Sequence, residues 1–172
     1  MRPTSKFIVH TALFLALAVL LPIAFHQFGL GGRLFLPMHI PVLLAGFIAG
    51  PFSAVLVGLI APLVSFFLTG MPPAYAVPLM SLELPLYGLA AGLSYTTLRL
   101  NIYLALIVAM IVGRLGFALG LLILGLFIEL PYGLETYFKA AMVTGLPGII
   151  VQLVLIPPIV AALNRRRGLI SR

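Results

Sequence analysis

The sequence predicts an all-α membrane protein, a bundle of six transmembrane helices with both termini in the cytoplasm. Three observations lead to this prediction. Of the 172 residues, 63% are hydrophobic and 8% are charged, whereas soluble domains carry roughly 25% charged residues. The apolar residues fall into six runs separated by polar, proline or glycine breaks. The basic residues then collect on one side of the membrane, as they do in the cytoplasmic loops of membrane proteins.

The six apolar runs give the predicted helices in chain order, within a single transmembrane domain of residues 1–172. Their approximate ranges are 7–25, 37–49, 52–69, 77–98, 102–128 and 136–163. The first run ends before the polar, glycine-rich stretch that starts at His26, the second at Gly50-Pro51 and the third at Gly70. At 1.5 Å per residue, the second is too short to cross a hydrocarbon core of about 30 Å. It therefore either continues through Gly50-Pro51 or packs as an irregular segment inside the bundle.

The basic residues determine the predicted orientation. With the N-terminus inside, the cytoplasmic residues are Arg2, Lys6, Arg99, Arg165, Arg166, Arg167 and Arg172, and the external ones are Arg33 and Lys139. An excess of Lys and Arg marks the cytoplasmic side, so both termini are predicted to be cytoplasmic. The net charge of +7 is then typical of a chain anchored at a membrane surface, and nucleic acid is not a predicted partner.

Two ionisable residues lie inside predicted spans, where charge is costly. Glu83 in the fourth span and Arg114 in the antiparallel fifth are predicted to lie at similar depth, in the outer half of the membrane. Gln152 in the sixth span adds an amide somewhat deeper. One interpretation is a structural ion pair that braces two helices. The other is a ligand pocket open to the outside, in which the guanidinium binds a carboxylate or phosphate and the carboxylate binds an amine or hydroxyl.

Apolar and aromatic side chains accompany these two charges. Met80 and Tyr87 share a helical face with Glu83, and Phe117 shares one with Arg114. We predict that these three side chains line the pocket, although packing alone also explains each of them. The ion-pair and pocket interpretations are compatible if the pair opens to admit a ligand.

The sequence lacks the residues that several kinds of chemistry require. There is no cysteine, which excludes disulfides and thiolate metal sites, and no phosphate-binding loop of the GxxxxGK[ST] type. Of the three histidines, His10 and His26 are predicted at opposite membrane faces, and His39 is interpreted as an interfacial hydrogen-bonding group. No nucleophile with a base is found at suitable spacing. We therefore expect no catalytic residue, no metal site, no cofactor and no enzymatic activity.

Three segments resemble those of one family of membrane proteins. They are the AxxxA pattern from Ala12 to Ala16, the segment from Leu36 to Gly46 followed by Gly50-Pro51, and the segment from Leu68 to Pro73. Together with the chain length, the six predicted spans and the basic termini, they resemble the substrate-binding (S) component of an energy-coupling factor (ECF) transporter. The resemblance covers nearly the whole sequence.

The resemblance implies a function and a set of partners. Such a component captures a vitamin or vitamin precursor outside a prokaryotic cell, at the plasma membrane. It then docks on a membrane coupling protein that carries two cytoplasmic ATPases. The family's AxxxA face contacts that coupling protein, which implies this role for Ala12 and Ala16. Its ligand lies between the last three helices and the outer loops, which matches Glu83, Arg114 and Gln152.

The sequence leaves the substrate and the competing functions open. Pantothenate, niacin, pyridoxine-type compounds and cobalamin precursors all fit a small ligand with an anionic or zwitterionic group. Whether the coupling module is shared or dedicated is equally open. The alternatives are a small membrane enzyme that uses Glu83 as an acid or base, and a stand-alone carrier or channel.

Overall fold

The computed structural model describes residues 5–27, 35–127, 135 and 145–170, with side chains described up to Asn164 in the last of these ranges. These residues form helices and no strand. The helices are α1 (Ser5–Gln27), α2 (His39–Ala49), α3 (Pro51–Thr69), α4 (Ala76–Gly92), α5 (Ile102–Phe127) and α6 (Leu146–Ile170). A π-helical turn, Leu93–Thr97, continues α4.

Five of these helices are long and apolar enough to cross a membrane, namely α1, α3, α4 with its π-helical turn, α5 and α6. The sixth, α2, has 11 residues and is shorter than a span. This set of apolar helices is that of a multi-pass membrane protein. Six complete crossings and cytoplasmic termini stay predictions.

The short helix α2 lies inside the bundle. All residues from His39 to Phe47 are buried, and α2 packs against α1, α3, α4 and α6. It is a regular helix and not the irregular segment that its length suggested. It also does not continue into α3, because Gly50 between them has a φ of 97°, a conformation that only glycine adopts readily.

Helix α4 packs against α2 and α3 through glycines on those two helices. A Cβ atom added at Gly46 of α2 would lie 2.6 Å from the carbonyl oxygen of Gly88. One added at Gly58 of α3 would lie 2.6 Å from the backbone nitrogen of Pro85. These close approaches are the packing that small residues permit between membrane helices. They hold α4, which carries Glu83, in the middle of the bundle.

Two predicted helix boundaries differ from those observed. The fourth helix was expected to stay α-helical to Leu98, but the backbone N–H of Leu98 donates to the carbonyl of Leu93 at 3.0 Å, a spacing of five residues. The sixth was expected from Thr136. The described helix begins at Leu146, after a turn at Gly145, and residues 136–144 lie outside the described residues.

Candidate functional site

Glu83 lies in the buried middle of α4. Its residue exposure is 3%, and α4 is packed against α2, α3 and α5. A carboxylate in such a place requires a partner, because an isolated buried charge is strongly unfavourable. One of the two interpretations of the sequence makes Arg114 that partner.

Arg114 on α5 does pair with Glu83. The guanidinium Nη1 lies 3.4 Å from Glu83 Oε1, with side-chain exposures of 13% for the arginine and 4% for the glutamate. This distance is longer than the 2.7–2.9 Å that charge-assisted hydrogen bonds usually have. The second terminal nitrogen, Nη2, has no hydrogen-bond partner among the described residues. The ion pair therefore engages the guanidinium incompletely and leaves a buried donor available.

A third ionisable side chain, His39, approaches the same carboxylate. Its Nε2 lies 3.6 Å from Glu83 Oε1, and its side chain is 3% exposed. Neither ring nitrogen has a hydrogen-bond partner among the described residues. The interpretation of His39 as an interfacial hydrogen-bonding group therefore missed its place in this cluster. The criterion that selected Glu83 and Arg114, an ionisable residue in an apolar run, applied equally to His39, but its position at the start of the run suggested the interface.

Tyr87 lies one helical turn after Glu83 and packs on His39. The two rings meet edge to face, with centroids 5.0 Å apart and an interplanar angle of 86°. Tyr87 is fully buried, and its hydroxyl has no hydrogen-bond partner among the described residues. Gly113 makes room for the ring, because a Cβ atom at that position would overlap it. The position of Tyr87 in the cluster thus depends on a glycine next to Arg114.

The other predicted site residues are Gln152, Met80 and Phe117, and no direct contact joins them to Glu83 or Arg114 among the described contacts. Gln152 on α6 is fully buried, and neither of its amide atoms has a hydrogen-bond partner within the described part of the chain. Its helix packs against α2 and α5, which carry His39 and Arg114. Met80 and Phe117 are half-buried, and Met80 packs against the apolar core. No contact is described that joins Phe117 to the two charges.

We call five buried or largely buried polar residues the polar cluster: His39, Glu83, Tyr87 and Arg114, which the contacts above link, and Gln152, whose helix packs against α2 and α5. All of them except Glu83 have a side-chain polar atom without a partner among the described residues. In folded proteins roughly 90% or more of buried polar groups have a partner, and each one without a partner costs about 1–3 kcal/mol. The polar cluster has the donors and acceptors needed to bind a small polar molecule. Among the described residues, no group of three or more His, Cys, Asp or Glu residues is arranged to hold a metal ion.

The two alanines of the AxxxA pattern lie elsewhere. Ala12 and Ala16 are exposed on α1, beside Leu13 and Leu20, which are also exposed. The buried side of α1 carries Phe14, Ala18, Val19 and Pro22 and packs against α2 and α3. The alanines therefore lie on the outer face of this helix, away from the bundle.

Comparison with known proteins identifies the family. The model of the family described as ECF transporter, substrate-specific component matches residues 6–160. The match includes α1 from its second residue and every member of the polar cluster. The chain belongs to this family, which confirms the resemblance seen in the sequence. No curated protein and no solved structure matches the chain.

Family membership has direct consequences. The family consists of transporter subunits and is not a family of enzymes. It implies association with an ECF module and with the lipid bilayer. The protein is therefore a substrate-specific transporter subunit in a membrane.

Proposed function

We propose that the protein is the high-affinity substrate-capture subunit of an ECF-type ABC importer in a prokaryotic plasma membrane, and that it takes up a vitamin or vitamin precursor. The family match supports the transporter class. The polar cluster is the observation that supports a particular binding site, because several of its buried polar atoms have no partner among the described residues. Such atoms find partners when a polar ligand binds.

Each member of the cluster has a proposed role. The free Nη2 of Arg114 binds an anionic group of the ligand, and guanidinium geometry suits a carboxylate or phosphate. Glu83 holds the arginine in place and accepts from an amine or hydroxyl. The Gln152 amide and the Tyr87 hydroxyl supply further hydrogen bonds. Met80 and Phe117 form apolar walls, as the sequence suggested, with Phe117 the residue least supported by contacts.

The ion pair and the binding site are one arrangement in this proposal. Glu83 and Arg114 are within 3.4 Å of one another through a single pair of atoms, which supports the bracing role. The remaining donors of the guanidinium support the binding role, because arginine carries five N–H donors. The ligand therefore does not need to break the pair completely in order to bind.

The coupling role is assigned to the outer face of α1. Ala12 and Ala16 are exposed there, and small residues allow a second membrane helix to approach closely. We propose that this face docks on the membrane coupling protein, which carries two ATPases. ATP hydrolysis is thereby assigned to partners, in keeping with the absence of a phosphate-binding loop from the sequence.

The decisive experiment is mass spectrometry of the small molecules retained by the purified full-length protein. We expect one compound at close to one equivalent per chain, and we expect it to be lost from the Arg114→Ala variant. Retention of the same compound by that variant contradicts the assignment of the site. Copurification separates the functional classes: a complex with ATPase subunits supports the importer, whereas turnover of a substrate by the chain alone supports the membrane enzyme.

A further inference from the structure

The polar cluster has an unusual charge arrangement for a buried site. Two basic side chains approach a single carboxylate oxygen, Glu83 Oε1: Arg114 Nη1 at 3.4 Å and His39 Nε2 at 3.6 Å. Arginine is always charged in proteins, so the arginine and the glutamate neutralise each other. The charge on His39 then decides whether the cluster is neutral or carries one positive charge.

We propose, on the basis of the proposed function, that this site binds a monoanionic small molecule together with one proton, and that His39 accepts the proton. The anionic group binds Nη2 of Arg114, which has no partner among the described residues. The proton comes from bulk water or buffer and adds to a free nitrogen of the imidazole ring. The donor, a hydronium ion or buffer acid, loses its bond to the proton and becomes its conjugate base, and no other covalent bond changes.

Electrostatics links the two events. In the free protein, Arg114 and Glu83 balance one another, and a proton on His39 would leave the buried cluster with one net positive charge although Glu83 attracts it. The positive N-terminal end of α2, where His39 lies, also opposes that charge. A bound monoanion reverses this balance, because arginine, glutamate and ligand together carry one net negative charge. A net charge buried in a membrane protein is costly. Protonation of His39, which changes charge near neutral pH more readily than other side chains, restores neutrality.

The surroundings of His39 offer few other sites for this proton. From α4, Glu83 and Tyr87 face it, and Tyr95 of the π-helical turn faces Phe47 and Asn164 instead. Helix α3 has no ionisable residue, and α6 has none before Asn164. On α1, Lys6 and His26 are exposed and His10 bonds the Lys6 carbonyl. Within the described helices that pack on α2, the proton therefore has His39 or Glu83 as its acceptor.

The test is isothermal titration calorimetry of the full-length protein in detergent with four probes of different charge. Nicotinate and pantothenate are monoanions, pyridoxine is neutral and thiamine is a cation. Each titration is run at pH 8 in HEPES and in Tris, whose ionisation enthalpies differ and which contain no phosphate to compete for the guanidinium, because histidine in water is neutral at that pH. We expect at least one monoanion to bind with uptake of about one proton, and its affinity to change up to tenfold per pH unit, stronger at lower pH.

The matched variant is His39→Gln, which keeps a hydrogen-bonding side chain but cannot accept the proton. We expect it to bind the same monoanion more weakly, with no proton uptake and with an affinity that no longer depends on pH. Persistent uptake in the variant assigns the proton to Glu83 and overturns the role of His39. Proton uptake by the unmodified protein is a separate measurement, so the inference stays testable if the variant does not fold.

Three results overturn the inference about charge: a monoanion bound without proton uptake, tight binding of pyridoxine or thiamine, or binding of none of the four probes. None of them removes the proposed function by itself. If the purified protein still retains a small molecule that Arg114→Ala loses, the capture role stands and only the ligand class is wrong. If nothing is retained and no probe binds, both fail.

Discussion

The polar cluster and the outer face of α1 are opposite in almost every property. The cluster is buried, charged and incompletely hydrogen-bonded, and it lies where α2, α4 and α5 carry their polar side chains. The outer face of α1 is exposed and apolar, with two alanines among larger residues. This difference is consistent with the two tasks proposed for one small chain: recognition of a solute in the interior and contact with another membrane protein at the surface. Variants should therefore affect one task and spare the other.

The largest effect is expected for Arg114→Ala. Loss of the guanidinium removes a charged hydrogen bond to the ligand. Because hydrogen bonds to charged groups contribute about 1.5–3 kcal/mol, the affinity for the ligand should fall roughly ten- to a hundredfold. Binding is measured by calorimetry and compared with uptake in cells. Glu83 left without its partner also destabilises the fold, since breaking a buried pair costs about 3–5 kcal/mol.

A charge-balanced control separates binding from folding. The double variant Glu83→Gln with Arg114→Gln removes both charges, and it should melt at a higher temperature than Arg114→Ala while failing to bind the ligand. Normal affinity in the double variant would return the pair to a purely structural role.

The next largest effect is expected for Gly113→Ala, which keeps both charges. The added methyl group overlaps the ring of Tyr87, so the ring must move within the cluster, and we expect about a tenfold loss of affinity. Gly120→Ala on the same helix is the matched control, because its Cβ would meet the end of the Leu82 side chain at 3.1 Å, which can shift. Equal affinity in the two variants would show that the position of the Tyr87 ring does not affect ligand binding.

On the surface, Ala12→Leu with Ala16→Leu should leave ligand affinity unchanged and reduce uptake severalfold, because larger side chains keep a second helix at a distance. Ala161→Leu with Ala162→Leu, at exposed positions of α6, is the control and should transport normally. Copurification of the ATPase subunits gives the second measurement. Full uptake by the α1 variant places the docking surface elsewhere.

The smallest effect concerns the attachment of α1 to the rest of the bundle. The Thr11 and Ser53 hydroxyls are 2.8 Å apart, and Thr11→Val leaves the buried serine without this partner. We expect a loss of about 1 kcal/mol, visible as a fall of a few degrees in thermal unfolding, with ligand affinity unchanged. Thr11→Ser keeps the hydroxyl and should melt like the unmodified protein. A large loss of affinity in Thr11→Val would show that the two regions are coupled through this contact.

The sequence predicted the features of these two regions to different extents. Apolar runs predicted the helical membrane class, because lipid requires continuous apolar helices. Counting turns along two antiparallel helices brought Glu83 and Arg114 to the same depth, and they are in contact. The resemblance to the family implied a docking role for Ala12 and Ala16; both residues are exposed, and the docking role stays a prediction.

Other features depended on packing that a single sequence does not contain. His39 joined the cluster because α2 lies inside the bundle, a placement that its short length left open. The role of Gly113 required the ring of a residue on another helix. The π-helical turn after α4 reflects one shifted hydrogen bond, from Leu98 to Leu93, which the apolar pattern of the fourth run could not reveal.

The interior position of α2 also limits how a solute can leave. Beyond His39, the side chains of α2 pack tightly inside the bundle, and Val42, Leu43 and Ala45 have no exposed surface. The buried stretch from His39 to Phe47 is about 14 Å long at 1.5 Å per residue. On the proposed function, a solute bound near His39 would therefore meet no exposed surface along this part of α2. We accordingly expect its release on the far side to need a movement of the whole bundle relative to its surroundings.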